Sequence, residues 1–196
     1  MLILLRHGQT PANAGGLLLG RADPPLTDLG RRQAAAAAAA LDGEVQRVVS
    51  SPLLRARQTA EALGLPVAID EQWIEVDYGE YEGLPYRDVP PELWQRWRTE
   101  PGFTPPGGES MAAVGTRVRA ACDALMDEAA ERNVVVVSHV SPIKAAAAWA
   151  MGVDGTVAWR MYLGLASITR VGQGRANPVL LSFNETGHLQ VAEERT

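Results

Sequence analysis

Two imidazoles and two guanidiniums in this chain stand where apolar runs give way to polar turns. Arg6 and His7 follow the run Leu2 to Leu5, His139 follows Val134 to Val137, and Arg55 opens the helical stretch after Val45 to Val49. A guanidinium fork binds phosphate oxygens bidentately, and a neutral imidazole can attack phosphorus or hold developing charge. The residue types therefore point to phosphoryl chemistry. Each junction repeats one plan of apolar strand, short polar turn, Ser or Thr, Pro, helix. Thr10-Pro11, Ser51-Pro52 and Ser141-Pro142 each fit an N-cap followed by Pro at the first helical position, where its missing N–H costs nothing. One such boundary is an ordinary capped turn. Three that all deliver Arg or His, in a chain with only three His, exceed what capping requires.

The elements that must carry these residues alternate. The three apolar runs read as strands buried on both faces, and Pro66 to Ile69 reads as a fourth. Helices are expected over Thr27 to Leu41, Leu53 to Leu63, Met111 to Arg132 and Ile143 to Met151. The first contains seven consecutive alanines, Ala34 to Ala40, the residue with the best helix propensity. Ser167 to Val171 and Val179 to Phe183, around Gly172 to Gly174, read as a hairpin. The pattern implies one α/β domain over 1–196, a three-layer α/β/α sandwich whose mostly parallel sheet gains an antiparallel edge. Residues 77–108, rich in Trp, Tyr, Pro and Gly, break the alternation. They read as an excursion or lid over the active site with no core of its own. In an open parallel sheet, ligands bind beyond the carboxyl ends of the strands, where helix N-termini also favour anions.

Composition narrows the partners. The net charge is −5, with no global basic footprint for nucleic acid or anionic membranes, and no apolar run approaches a membrane span. A cytoplasmic protein is expected, with a homodimer as the default assembly. The single cysteine, Cys122, excludes an internal disulfide and a multi-thiolate zinc site, and its helical position suits packing. Glu128 stands six residues after it, so the Cys-x5-Arg arrangement of thiol phosphatases is absent. No P-loop is present, and three dispersed His without clustered Asp do not form a two-metal site. No metal or cofactor is therefore expected.

Taken in order, "LRHGQTPAN" at 5–13, "GRADPPLTDLGRRQA" at 20–34, "SSPLLRARQTA" at 50–60, "IEVDYGEYEG" at 74–83, "PPGGES" at 105–110 and "VVSHVSPIKA" at 136–145 resemble the histidine phosphatase superfamily, the phosphoglycerate-mutase-like enzymes. "SHVSPIK" resembles the acid phosphatase module that some actinobacterial chains fuse to a ribonuclease H domain, here expected to stand alone. The resemblance implies a metal-independent phosphomonoesterase of acid phosphatase type acting on small phosphate esters. His7 would be the nucleophile that becomes phosphohistidine. Arg6, Arg55 and His139 would line its phosphate pocket, Asn13 would contact the phosphoryl group, and Glu75 would serve as general acid and base. Asp77, Glu80 and Glu82 are nearby carboxylates that the sequence does not rank against Glu75. Two neighbouring guanidiniums would keep His7 neutral, and the acid role of Glu75 implies better turnover at mildly acidic pH.

The family usually has Gly after its second His, where this chain has Val140. A backbone N–H can still serve the substrate there, but the β-branched side chain narrows the pocket. Other residues have plainer expected roles: His188 at the surface or in packing, Lys144 in solvent by default although it could add charge near the phosphate, Arg21 at the surface or pocket rim, and Ser110 as a helix cap. Glu109 could orient a pocket residue. The aromatic group Tyr78, Tyr81, Tyr86, Trp94 and Trp97 could line a leaving-group pocket or pack the excursion down. Two alternatives stand beside the phosphatase: a phosphoglycerate mutase, for which the chain is short of active-site insertions, and an idle phosphate-binding module.

Overall fold

A computed structural model describes residues 1–189; residues 190–196 of the expected domain lie outside the described residues. Six strands, β1 (Leu2–Arg6), β2 (Arg47–Ser50), β3 (Val67–Ile69), β4 (Val134–Ser138), β5 (Ile168–Gln173) and β6 (Pro178–Glu185), form one sheet in the order β3-β2-β4-β1-β5-β6. The first four run parallel, and β5 and β6 add an antiparallel edge. Helices α1 (Pro11–Ala14), α2 (Asp28–Ala40), α3 (Leu54–Glu61), α4 (Pro91–Thr99), α5 (Met111–Glu131) and α6 (Val140–Met151) complete the described architecture.

The continuous apolar strands have two cores to serve. Leu2, Leu4, Val134 and Val136 face α5 and α6, while Ile3, Leu5, Val135 and Val137 face α2 and α3. Alternate residues of each strand thus enter opposite layers, which is why no polar residue interrupts the runs. Cys122 is buried in the first of these cores. Register then fixes the active edge. Arg6 pairs with Ser138 and Ser50 with Val137, so β1, β2 and β4 all end at one level.

Helix starts divide into local and long-range cases. Thr10 forms a full capping box with Asn13, Thr27 Oγ1 accepts the Gly30 N–H at 3.0 Å, and Ser110 Oγ accepts the Ala113 N–H at 3.1 Å. The other two expected caps are corrected. α3 begins at Leu54, whose N–H donates to Asp23 Oδ1 at 2.6 Å, so its cap comes from another segment while the Ser51 hydroxyl pairs with His139. α6 begins at Val140 behind His139, so Ser141 lies inside its first turn. At Gly8 and Gly30 the first turn of α2 meets the loop after β1. A Cβ on Gly8 would collide with the Gly30 carbonyl, and one on Gly30 with the Gln9 carbonyl.

The 77–108 excursion packs down through an apolar cluster that it shares with Leu18, Met111 and Trp159 from other segments. Trp97, 1% exposed, packs with Leu18, Val89 and Leu93. Its ring meets Tyr78 and Trp94 edge-on at 5.5 and 5.3 Å between centroids. Aromatic rings bury enough area to hold a short segment down through such a shared cluster. Among the described residues, no helix is long and apolar enough to cross a membrane.

Candidate active site

His7 leaves β1 at the carboxyl edge and is 3% exposed. Its Nδ1 lies 2.7 Å from the Gly8 carbonyl oxygen. A carbonyl only accepts, so Nδ1 carries the hydrogen and the neutral ring keeps its lone pair on Nε2. Burial, then the charge of Arg55, then that of Arg6 hold the His7 pKa well below its ordinary 6.5. The flanking cations thus act as expected, although desolvation is the larger cause. The loop is anchored from below, where the Gly8 N–H donates to Thr59 Oγ1 at 3.1 Å.

His139 follows β4 and is wholly buried, with its ring centroid 5.1 Å from that of His7. Burial and the charge of Arg55 lower its pKa as well. Its Nε2 pairs with the Ser51 hydroxyl at 2.7 Å. Arg6 donates to the Leu163 carbonyl at 2.6 Å, and Arg55 donates to the carbonyls of Ala22 and Gly20 at 2.7 and 2.6 Å. Among the described residues nothing hydrogen-bonds Nε of Arg6, Nε of Arg55 or Nδ1 of His139, although all three are buried. Nε of Arg32 and the indole N–H groups of Trp73 and Trp97 are unpaired as well, but only Arg6 and Arg55 bring charged donors next to His7, and charged donors suit an oxyanion.

Glu75 is 3% exposed and is held by backbone amides. Oε1 accepts from Val76 at 2.8 Å and from Ser141 at 3.2 Å; Oε2 accepts from Val140 at 3.1 Å. The carboxyl group therefore caps α6 from another segment, accepting the first N–H groups of the helix. Val140 is corrected in part: it lines the site, but its N–H holds Glu75 instead of standing ready for substrate. Asn13 also lines the site, with Oδ1 accepting from the N–H and hydroxyl of Thr10.

His7, Arg6, Asn13, Glu75 and Val140 open onto a cavity of about 500 Å³. Arg55 and His139, expected in the phosphate pocket, are wholly buried and are not among the residues lining this cavity, although the His139 ring lies 5.1 Å from that of His7. The three rival carboxylates separate by position. Asp77 pairs with Arg21 at 3.6 Å and accepts the Gly79 N–H, Glu80 is exposed, and Glu82 accepts from three successive amides, Gly20, Arg21 and Ala22, at 2.7, 2.8 and 3.1 Å. Of the two readings of Lys144, the one near the phosphoryl end fits: it lines the cavity half-buried, and burial and Arg6 lower its pKa against the opposing effect of Glu75. Burial raises the Tyr78 pKa, so its phenol stays protonated there. Glu109 ion-pairs with Arg117 at 2.9 Å and with Arg21 at 3.3 Å, joining the 20s loop to α5. His188 has a packing role, with Nε2 donating to the Ala166 carbonyl at 2.9 Å. Ser51, Thr59 and Glu82 are the site's supports that sequence reasoning missed. All three lay in motifs singled out for the site, but there Ser51 read as a cap, Glu82 only as a rival carboxylate to Glu75, and Thr59 carried no role of its own.

A parallel-sheet edge carrying paired imidazoles, paired guanidiniums and an amide-held carboxylate defines a phosphoryl-transfer class of site. The model of the histidine phosphatase superfamily, branch 1, matches residues 2–186, and the chain belongs to that family. It is 41% identical over 199 residues to a bifunctional protein of Mycobacterium tuberculosis, covering 96% of this chain and 54% of that one. The chain thus spans about half the length of the curated relatives it first matches. Phosphoserine phosphatase 1 of Hydrogenobacter thermophilus is 35% identical, with 96% and 93% of the two chains covered. Among solved structures, a phosphoserine phosphatase mutant from Entamoeba histolytica in complex with phosphoserine superposes with a TM-score of 0.89. It is 29% identical and covers 96% of this chain and 98% of that one.

Proposed function

We propose that the chain is a phosphomonoesterase of acid phosphatase type that works through a phosphohistidine on His7 and needs no metal ion. The observation that carries this is the neutral His7 ring, held through Nδ1 by the Gly8 carbonyl and 5.1 Å from His139. In the first step the Nε2 lone pair forms the N–P bond as the ester P–O bond breaks, and Glu75, protonated at that moment, gives its proton to the leaving alkoxide. In the second, ionised Glu75 takes a proton from water, the water oxygen bonds to phosphorus, and the N–P bond breaks to release phosphate and neutral His7. Arg6, Arg55 and His139 hold the equatorial oxygens, and Asn13 contacts the phosphoryl group at the rim. The substrates on this reading are free small-molecule esters in the cytoplasm. Neither nucleic acid nor membrane takes part, and the chain acts as one domain with a homodimer as its default assembly.

Because the N–P bond of phosphohistidine is labile in acid and survives in base, rapid alkaline quench of p-nitrophenyl phosphate turnover followed by mass spectrometry should find one phosphoryl group on His7. His7→Ala should lose both label and turnover. Steady hydrolysis by His7→Ala at the wild-type rate would reject the nucleophile. Conversion of 3-phosphoglycerate to its isomer, without net phosphate release, would make the chain a mutase instead.

A further inference from the structure

Beyond its phosphoryl-binding end the cavity is walled mainly by carbon. We infer that the phosphate ester taken by this site carries a bulky, apolar alcohol. The inference rests on the phosphatase reading and deepens it by naming the leaving group. The cavity measures about 500 Å³, within the roughly 300–1,000 Å³ of pockets that enclose drug-sized ligands. A phosphoryl group on a three-carbon alcohol fills a fraction of that.

Trp97 is buried in the cluster that the excursion shares with other segments, but the neighbouring aromatics are not used up by packing. Trp94 and Trp159 are half-buried cavity residues, with rings edge-on at 6.2 Å, and Trp94 also meets Tyr86 at 6.4 Å. At the mouth, Tyr86 and Val153 remain 47% and 43% exposed. A contiguous apolar lining with an exposed lip marks a surface that a ligand covers.

Gly115 is the independent observation. It sits inside α5 and lines the cavity, and a Cβ there would meet no atom within 4 Å. Glycine weakens a helix interior relative to alanine, and no neighbour requires its small size. What its missing side chain provides is room in the cavity.

Away from the phosphoryl end the charged lining residues, Arg119 and Asp154, are both exposed, so neither forms a buried receptor for an amino-acid alcohol. Besides Glu75, the one carboxylate among the described lining residues is Asp154, which accepts the Thr156 N–H at 2.8 Å. Lys144 lies one turn beyond Ser141, whose amide holds Glu75, so its charge belongs to the phosphoryl end. A zwitterion would therefore place its ammonium in the cavity with no buried carboxylate beyond Glu75 to pair with it.

The test compares 3-phenylpropyl phosphate with ethyl phosphate and phosphoserine. The first two release primary alcohols of similar basicity, so intrinsic reactivity is matched. Wild type should favour the phenylpropyl ester in kcat/KM by at least about tenfold over both others. In Gly115→Leu, which fills the space with a good helix former, the phenylpropyl-to-ethyl ratio should fall towards one, and Trp159→Ala should lower it as well. Equal or better use of ethyl phosphate or phosphoserine, or a ratio unmoved in both variants, overturns the inference while the phosphatase reading stands. No turnover of p-nitrophenyl phosphate by wild type sinks that reading and this inference with it.

Discussion

On the proposed mechanism only the imidazole nitrogen without a hydrogen attacks phosphorus, and in His7 the Gly8 carbonyl decides which one that is. With Nδ1–H committed at 2.7 Å, attack falls to Nε2. Because burial and the two guanidiniums hold the His7 pKa well below 6.5, the ring stays neutral as solution turns mildly acidic. The acid limb of the kcat/KM profile should therefore inflect below pH 6.5; an inflection at or above 6.5 would contradict a neutral, buried nucleophile. His139 depends on Ser51 in a comparable way. Ser51→Ala should remove the partner of a buried ring nitrogen and cost about 1–3 kcal/mol. Urea unfolding would read that loss, and kcat/KM should fall about tenfold with it. Unchanged stability and turnover would show that the contact is idle. Arg6, His7 and His139 were legible because charged or titratable residues at the ends of doubly buried strands have few structural uses. Ser51 was not, since Ser-Pro reads as a cap and its real partner is 88 residues away.

Elements whose causes are local could be read from the sequence, and those fixed by distant groups could not. α1 has its capping box within four residues, and α2 has Thr27 beside it. The start of α6 was misread by three residues because Glu75, from a different segment, receives its first amides. The same kind of remote carboxylate shapes the 20–22 loop. Glu82 gathers the N–H groups of Gly20, Arg21 and Ala22, and the carbonyls of Gly20 and Ala22 hold Arg55. Glu82 is thereby a positioning residue for the phosphate pocket. Glu82→Gln removes the charge and one acceptor oxygen while keeping the shape. Hydrogen bonds to charged groups are worth about 1.5–3 kcal/mol, so competitive inhibition by inorganic phosphate should weaken about tenfold. A Ki equal to that of wild type would mean that Arg55 is held without the loop.

At the scale of the whole molecule, the layer order and active edge follow from strand burial, whereas the cavity draws on the excursion, α5, α6 and residues 153–159 together. No local pattern announces such a meeting, and the cluster that the excursion shares with other segments became visible only with Trp97 in place. The site also taxes the fold in a pH-dependent manner. His7 and His139 are buried with pKa values well below 6.5. The unfolded chain takes up protons at both residues as pH falls through about 6.5, while the folded chain does not, so stability falls in the acid direction. Each buried ring contributes up to about 1.4 kcal/mol per pH unit within the window between its folded value and 6.5. Urea unfolding should therefore show a loss of about 2–3 kcal/mol between pH 7.5 and 5.5. His139→Gln, with one such ring removed, should lose about half as much over the same range. A wild-type stability that is flat across this interval, or a variant slope equal to the wild-type slope, would show that the two rings do not enter the fold uncharged.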